Sequence, residues 1–248
     1  RTLERARILL DRYGVVSREA VTAEEIPGGF GPFYRTFSMM EEAGQVRRGY
    51  FVEGLSGAQF SQGGAVERLR ALRREPGEAP GPTDDEAQVV VLSAVDPANP
   101  YGTLLPWPAA GQHPPNDDEL SASSRAEPAG YRPRRVSGAW LVLWEGIPLL
   151  YAGPGGRQLL SFPRGAPDLF PDSGPATRTA ERFKVERDVL GEAIDALAAV
   201  LSGPKRRSAL VERIDGVASR ESYLRPKLEL HGFHAEPRGL VRERHAGR

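Results

Sequence analysis

The turn signals in the first sixty residues constrain the fold more than any other feature of the sequence. Three stretches of helical period follow one another: the first stops at Gly14, the second begins after Ser17, a good N-cap residue, and the third stops at Gly44. One face of the third stretch carries Phe33, Phe37, Met40 and Ala43. The character of the side chains then alternates along residues 45–53, which is typical of a two-stranded hairpin. This hairpin is the predicted wing. Three helices and a small hairpin predict a winged-helix module over residues 1–62.

The rest of the chain predicts an α+β protein with further parts after the winged helix. Residues 63–87 are predicted to form a helix and a linker rich in Pro, Gly and acidic residues. Residues 88–177 read as short strands without intervening helices, which favours a β-barrel-like domain or a curled sheet, with a long mobile loop near 109–133. Glu145-Gly146 is a strong hairpin signal within it. Residues 178–248 are predicted to form a helix and a small C-terminal α+β unit.

Composition excludes several classes of function. The chain has no cysteine, so it holds no disulfide, thiolate zinc site or cysteine nucleophile. It has no apolar run near the roughly 20 residues of a membrane span. Basic and acidic residues number 33 each, but residues 81–200 hold 10 basic and 16 acidic side chains, whereas residues 201–248 hold 11 and 6. We expect a cytoplasmic protein, and the start inside a helical pattern without Met suggests a piece of a longer chain.

Catalytic signatures are mostly absent from the sequence. There is no Gly-x-x-x-x-Gly-Lys phosphate loop, so nucleotide hydrolysis is not expected in this segment. There is no Gly-x-Ser-x-Gly elbow of a hydrolase. His231 and His234 lie near each other in the sequence, but no further ligands converge on them at a familiar spacing. We therefore predict no metal site, and interpret the two histidines as a surface pair beside a helix end.

The predicted winged helix offers the best DNA-binding surface. Arg35 and Ser38 should face away from the core on the third helix, and the wing adds Arg47 and Arg48. In this motif the recognition helix enters a groove of DNA, and basic residues of the wing contact phosphates. The alternative is a protein-interaction or packing module, because two consecutive glutamates lie on the same helix.

A second group of candidate residues lies in the middle of the chain. The rigid turn at residues 96–102 is followed by residues 104–108, and Tyr101 and Trp107 either line a cleft that stacks a flipped base or plug one end of the barrel. Three arginines before the central hairpin either follow a DNA backbone or form a solvated strand edge; they are Arg132, Arg134 and Arg135.

Several segments resemble one known family. The residues concerned are 13–20 (Tyr-Gly-Val-Val-Ser-Arg-Glu-Ala), 27–30 (Pro-Gly-Gly-Phe), 42–55, 58–60, 96–102 (Asp-Pro-Ala-Asn-Pro-Tyr-Gly), 105–108 (Leu-Pro-Trp-Pro), 232–233 and 237–240. They resemble the C-terminal extension of bacterial Large helicase-related (Lhr) proteins, which are superfamily 2 ATP-dependent DNA helicases. The resemblance covers nearly the whole chain.

This resemblance implies that the helicase core, with its ATP and Mg²⁺, lies upstream, and that this segment carries no cofactor of its own. It implies DNA as a partner, the upstream core and winged-helix modules of the same chain as further partners, homo-oligomerisation, and a role in DNA repair at the nucleoid. The extension is also similar to the winged-helix and barrel architecture of AlkZ-like DNA glycosylases.

Base excision of uracil-type lesions is therefore implied as an alternative function. The nearest match to the AlkZ-like motif of Gln, an apolar residue and Gln or Asp is Gln59-Phe60-Ser61, whose third residue departs from it. On this hypothesis Gln59 contacts DNA, and a carboxylate poises water or stabilises the sugar cation. Asp96 is the first candidate for that carboxylate and Glu236 the second. A third hypothesis is that the segment serves chiefly as a platform for self-association.

Overall fold

The computed structural model describes residues 1–72, 89–111, 131–163, 188–203 and 206–243. The chain divides into two compact units: Arg1–Glu78 with Pro100–Pro106, and Ala79–Asn99 with Trp107–Arg248. Each unit has its own apolar core. The predicted linker at 74–87, most of the predicted loop near 109–133 and the start of the predicted helix at 178–187 lie outside the described residues.

The first unit is a winged helix, as the sequence predicts. Its elements are α1 (Thr2–Tyr13), β1 (Val15–Val16), α2 (Arg18–Ala23), α3 (Phe30–Glu42), β2 (Val46–Gly49), β3 (Gln59–Gln62) and α4 (Ala65–Leu72). The three strands form an antiparallel sheet in the order β1-β3-β2. The predicted helix boundaries hold for physical reasons: Gly14 takes a positive φ of 68° where α1 ends, and the Ser17 hydroxyl accepts a hydrogen bond from the Ala20 amide at 3.3 Å.

The core of this unit lies between the helices and the sheet. Phe37 of α3 and Phe60 of β3 are both fully buried, and their rings stack with centroids 5.1 Å apart. Around them pack the apolar faces of the helices, including Leu9, Leu10 and Phe33. This packing holds α3 against the sheet and leaves the opposite side of α3 exposed.

The wing differs from the prediction in its second strand. The sequence predicts both strands within residues 45–53, but β2 pairs with β3 at residues 59–62, and the loop between them spans residues 50–58. Tyr50 is 84% exposed, so the apparent alternation after Gly49 does not mark a strand with a buried face. Three consecutive residues of β3 are buried, and such a strand has no period of two to recognise.

The second unit is built on two sheets and two α-helices among the described residues. Its elements are β4 (Val89–Ser93), β5 (Trp140–Trp144), β6 (Ile147–Ala152), β7 (Gln158–Ser161), α5 (Val189–Leu201), β8 (Ser208–Val211), β9 (Arg213–Ile214), β10 (Val217–Ala218), a 3-10 turn (Ser219–Glu221), α6 (Arg225–Leu230), β11 (His234–Glu236) and β12 (Gly239–Glu243). The larger sheet has the order β10-β9-β7-β6-β5-β4, and the smaller has the order β11-β12-β8. All pairs are antiparallel except β7 with β9.

The α+β class is confirmed, and of the two predicted alternatives the structure shows a sheet and not a closed barrel. Within the described residues the six-stranded sheet is open, because β4 and β10 are its two edges and do not pair. Helix α5 buries an almost continuous apolar surface, including Ile194 and Leu197, in the core that contains Val142 and Leu150 of the sheet. Side chains of α5 therefore cover the apolar face of the sheet, which in a closed barrel would be covered by side chains from the opposite strands.

Two tight turns in this sheet share one backbone geometry. Glu145 and Gly146 have φ of 50° and 80°, which confirms the predicted hairpin between β5 and β6. Asp215 and Gly216 have φ of 50° and 85°, and they join β9 to β10. The second turn places the Asp215 carboxylate beside the end of β7.

Among the described residues no helix is long and apolar enough to cross a membrane.

Candidate nucleic-acid interface and pocket

The outer side of α3 is the candidate nucleic-acid surface of the first unit. Tyr34, Arg35 and Met39 are exposed there, and Ser38 is half-buried. The predicted exposure of Arg35 is therefore confirmed, whereas Ser38 is only partly exposed. None of the residues that the structure describes forms an ion pair with Arg35. A DNA phosphate can therefore contact Arg35 without displacing a carboxylate from it.

The two arginines of the wing are occupied by carboxylates of the same unit. The Arg48 guanidinium donates to Glu41 Oε2 from Nε at 2.8 Å and also from Nη2, and it donates to the Tyr34 hydroxyl at 3.0 Å. Arg47 Nη1 donates to Glu67 Oε1 at 2.9 Å. A DNA phosphate would have to replace a carboxylate at each of these arginines.

Gln59 lies inside the wing and does not face solvent. Its side chain is fully buried, and its Oε1 accepts hydrogen bonds from the backbone amides of Phe51 at 2.9 Å and Val52 at 2.8 Å. Its Nε2 donates to the Val52 carbonyl at 2.8 Å. The amide of Gln59 therefore stabilises the conformation of the wing loop, and any effect of Gln59 on DNA binding acts through that loop.

Asp96 and Arg135 hold the turn that the sequence singles out. Asp96 Oδ1 accepts from the Ala98 amide at 2.8 Å, as an Asx-turn does. Arg135 donates to the carbonyl oxygens of Asn99 at 2.6 Å and Asp96 at 3.1 Å. Asn99 is buried and donates from Nδ2 to the Ala94 carbonyl at 2.9 Å. These contacts stabilise a turn of the second unit.

The remaining predicted site residues are dispersed. Tyr101 belongs to the first unit, where it is half-buried beside Leu105, and burial raises the pKa of its hydroxyl. Glu236 is exposed on β11, and its Oε1 lies 3.3 Å from His234 Nε2. Arg134 is exposed, and its backbone amide and carbonyl both bond to the Tyr151 hydroxyl.

One pocket of about 450 Å³ in the second unit brings together two of the predicted residues. It is lined by Trp107, Tyr131, Arg132, Leu160 and Asp215, together with the backbone near residues 108–111 and Gly216. Trp107 and Arg132 are candidates for DNA contact, with a barrel plug and a solvated strand edge as the respective alternatives, and the structure places them on one concave surface. Asp96 is not among the lining residues.

The aromatic lining of the pocket is held by a buried tyrosine. Tyr151 is fully buried, and Trp107 meets its ring edge to face with centroids 5.6 Å apart. The ring of Tyr131 lies 6.4 Å from the same ring. Burial raises the pKa of Tyr151 to about 12, so its hydroxyl stays protonated and keeps donating to the Arg134 carbonyl. The two pocket rings therefore share one rigid support.

Asp215 supplies the carboxylate of the pocket. Its Oδ1 accepts from the Ser161 amide at 2.8 Å, and its Oδ2 accepts from the Ser161 hydroxyl at 2.6 Å. The Ser161 hydroxyl also lies 2.9 Å from the Tyr223 hydroxyl. Burial raises the pKa of Asp215 despite these hydrogen bonds. No catalytic motif in the sequence marks this residue, although Asp215-Gly216 is a typical hairpin signal that predicts its turn.

His231 lies in a charged cluster and not in a simple surface pair with His234. Its Nδ1 is 2.9 Å from Asp195 Oδ2, and its Nε2 is 3.1 Å from Asp188 Oδ2. Asp188 also accepts from Lys227 Nζ at 2.6 Å. Within the described parts of the chain no three His, Cys, Asp or Glu side chains are grouped as metal ligands. The cluster joins the start of α5 to the end of α6.

Comparison with known proteins assigns the chain to a family. Residues 1–81 match the family described as "Large helicase-related protein, winged-helix domain". The "Lhr helicase/ probable uracil glycosylase" of Mycolicibacterium smegmatis is 36% identical over an alignment of 242 residues that covers 95% of this chain. This chain belongs to the Lhr family. The "Lhr helicase/uracil glycosylase" of Escherichia coli is 35% identical over 240 residues, or 97% of this chain. The matched region spans 13% of the length of each of these Lhr proteins.

Proposed function

We propose that this chain is the C-terminal DNA-binding region of an Lhr-type ATP-dependent DNA helicase that acts in DNA repair. The observation that carries the proposal is the winged helix of the first unit, whose α3 keeps Arg35 and Ser38 accessible beside the wing. In winged helices and their relatives this helix enters a groove, and flanking groups contact phosphates. The helicase core, with its ATP and Mg²⁺, is expected elsewhere in the same protein.

The charges of this surface set its expected affinity. Arg47 and Arg48 are paired with Glu67 and Glu41, so only a small number of phosphates is neutralised without breaking an ion pair. Because each neutralised phosphate adds about 0.9 to the slope of log affinity against log salt, we expect a shallow salt dependence. Such binding suits a region that positions DNA for a motor in the same chain.

Labelled single-stranded and duplex DNA, titrated with the chain from about 50 to 200 mM salt, tests this proposal. The variant Arg35→Glu should weaken binding and lower the salt slope by about one, because it removes one phosphate contact. Arg7→Glu is the matched control, since Arg7 is exposed on α1 and the charge change is the same. Absence of binding to either DNA at low salt, or equal weakening by both variants, would contradict the proposal.

A second function, base excision, is favoured by the pocket of the second unit. Two aromatic side chains and a carboxylate line one concavity there, which is the chemistry that a flipped base and a hydrolytic water require. The printed names of both Lhr relatives include uracil glycosylase. Incubation with uracil-containing DNA, followed by alkaline cleavage at abasic sites, tests this function. Cleavage no greater than in a protein-free sample would contradict it.

A further inference from the structure

We propose that the pocket lined by Trp107, Tyr131, Arg132 and Asp215 receives one uracil-type base extruded from DNA, and that Asp215 is the general base that activates the hydrolytic water. This inference rests on the base-excision function proposed above and deepens it. It assigns the catalytic carboxylate to a residue that sequence motifs do not mark.

The pocket is large enough for a single base, and its lining offers aromatic rings to stack on it. Its volume of about 450 Å³ lies in the range of small-ligand sites. Trp107 and Tyr131 are both in ring contact with the buried Tyr151, which restricts the movement of their rings. Flipped and single-stranded bases stack on aromatic side chains with little dependence on sequence. The lining therefore provides a stacking surface for the base.

Arg132 supplies a positive charge on the same lining. Its side chain is exposed, and a guanidinium matches the geometry of a phosphate group. An extruded nucleotide carries a phosphate on each side of its sugar. Contact of Arg132 with one of these phosphates would bring the sugar towards the carboxylate of Asp215.

Asp215 is positioned for a reaction with water by its turn and by Ser161. The hairpin turn holds its backbone, and the Ser161 amide and hydroxyl donate to its two oxygens. A carboxylate has about four acceptor positions, so two remain beyond the hydrogen bonds from Ser161. The other titratable or charged groups around it are Tyr223, reached through Ser161, and Tyr131 and Arg132 on the pocket lining. Burial raises the pKa of Asp215, which makes it a stronger base than an exposed aspartate.

The reaction is a hydrolysis and needs no other reactant. The bond between C1′ of the sugar and N1 of uracil breaks, and its electron pair leaves with the base. A water molecule forms the new C1′–O bond and gives one proton to Asp215. That proton then passes to the departing uracil anion, so the products are free uracil, an abasic site and the unchanged carboxylate.

Asp215→Asn, assayed in the full chain on uracil-containing DNA, tests the assignment. The rate of uracil release should fall by about 100-fold or more, because a general base contributes about 10²- to 10⁴-fold. In the unmutated chain the rate should rise with pH through the pKa of Asp215, and the variant should lose this rise. Asp11→Asn, an exposed position on α1, is the matched control and should leave both the rate and the pH profile unchanged.

The fold of the variant is checked separately. Asparagine retains an oxygen that accepts from the Ser161 amide and an NH₂ that donates to the Ser161 hydroxyl. Because burial raises the pKa of Asp215 in the folded chain above the ordinary value of an aspartate, the ionised carboxylate lowers stability as pH rises through the folded pKa. Asp215→Asn should therefore have a Tm at pH 7 equal to or above that of the unmutated chain.

A second variant tests the stacking surface without touching Asp215. Trp107→Ala should raise KM for uracil-containing DNA about 5- to 140-fold, from the usual contribution of one stacked base. Uracil release that persists in Asp215→Asn, or that is lost in Asp96→Asn instead, would overturn the assignment while the base-excision function stands. DNA binding without any uracil release by the unmutated chain would overturn base excision and, with it, the assignment.

Discussion

The side-chain amide of Gln59 holds the wing loop, so its removal should release that loop. Gln59 is fully buried, and it makes three hydrogen bonds to the backbone of Phe51 and Val52. The variant Gln59→Ala leaves two amides and one carbonyl without these partners. Gln62→Ala is the matched control, because Gln62 lies on the same strand and its side chain makes no hydrogen bond within the described residues.

The expected magnitude follows from the three hydrogen bonds. Each contributes about 0.5–1.5 kcal/mol net, so the loop should lose about 1.5–4.5 kcal/mol of local stability in Gln59→Ala. The control should change stability by no more than about 0.5 kcal/mol, as partly exposed positions without specific contacts do.

Amide hydrogen exchange followed by NMR measures this loss at the two donors themselves. The Phe51 and Val52 amides should lose about 10- to 2,000-fold of their protection in Gln59→Ala, which is the free-energy loss converted to an equilibrium constant. Unchanged protection of both amides would refute the reasoning. Equal loss in Gln62→Ala would also refute it, because the effect would then belong to the strand and not to the amide of Gln59.

Two further predictions concern charged groups of the first unit. Glu41→Gln should tighten DNA binding about two- to fivefold in the same titrations, because it releases Arg48 from its carboxylate partner; unchanged affinity would show that Arg48 does not reach DNA. The hydrogen bond from the Tyr13 hydroxyl lowers the pKa of Glu24, so this carboxylate stabilises the fold above the ordinary pKa of a glutamate and loses that effect as pH falls through the lower folded value. Tyr13→Phe should therefore reduce the difference in Tm between pH 7 and pH 3, and an undiminished difference would contradict the role of this hydrogen bond.

The winged helix could be predicted from the sequence because its signals are local. Ser17 and Gly14 mark the ends of helices because their residue types favour these positions in any protein. The apolar residues of α3 repeat at helical period. The second wing strand could not be predicted in the same way. Gln59, Phe60 and Ser61 are all buried, so no alternation distinguishes β3 from a loop.

The open sheet could not be predicted because it depends on long-range packing. The sequence predicts short strands in this region, and β5 and β6 lie directly on either side of the predicted Glu145-Gly146 turn. Whether such strands close into a barrel depends on what covers their apolar face. Here α5 covers it, and the sequence does not reveal that a helix after residue 188 packs against strands that begin at residue 89.

The features of the candidate site likewise differ in whether they depend on local sequence or on long-range packing. Exposure of Arg35 follows from the helical period of α3, and the structure confirms it. The internal partners of Arg48 and Gln59 depend on which loops meet in three dimensions, so they were not visible. The juxtaposition of Trp107 with Asp215 joins positions more than a hundred residues apart, and only the sheet brings them to one pocket.

Hydroxyl-radical footprinting tests most directly whether the winged-helix face contacts DNA. Met39 on α3 is 61% exposed and Tyr50 in the wing loop is 84% exposed, so both are built-in oxidation probes, and Ile8 on α1 at 56% is the internal control. Saturating DNA should slow oxidation of Met39 and Tyr50 and leave Ile8 unchanged. Oxidation of Met39 and Tyr50 at the same rate with and without bound DNA would contradict the account.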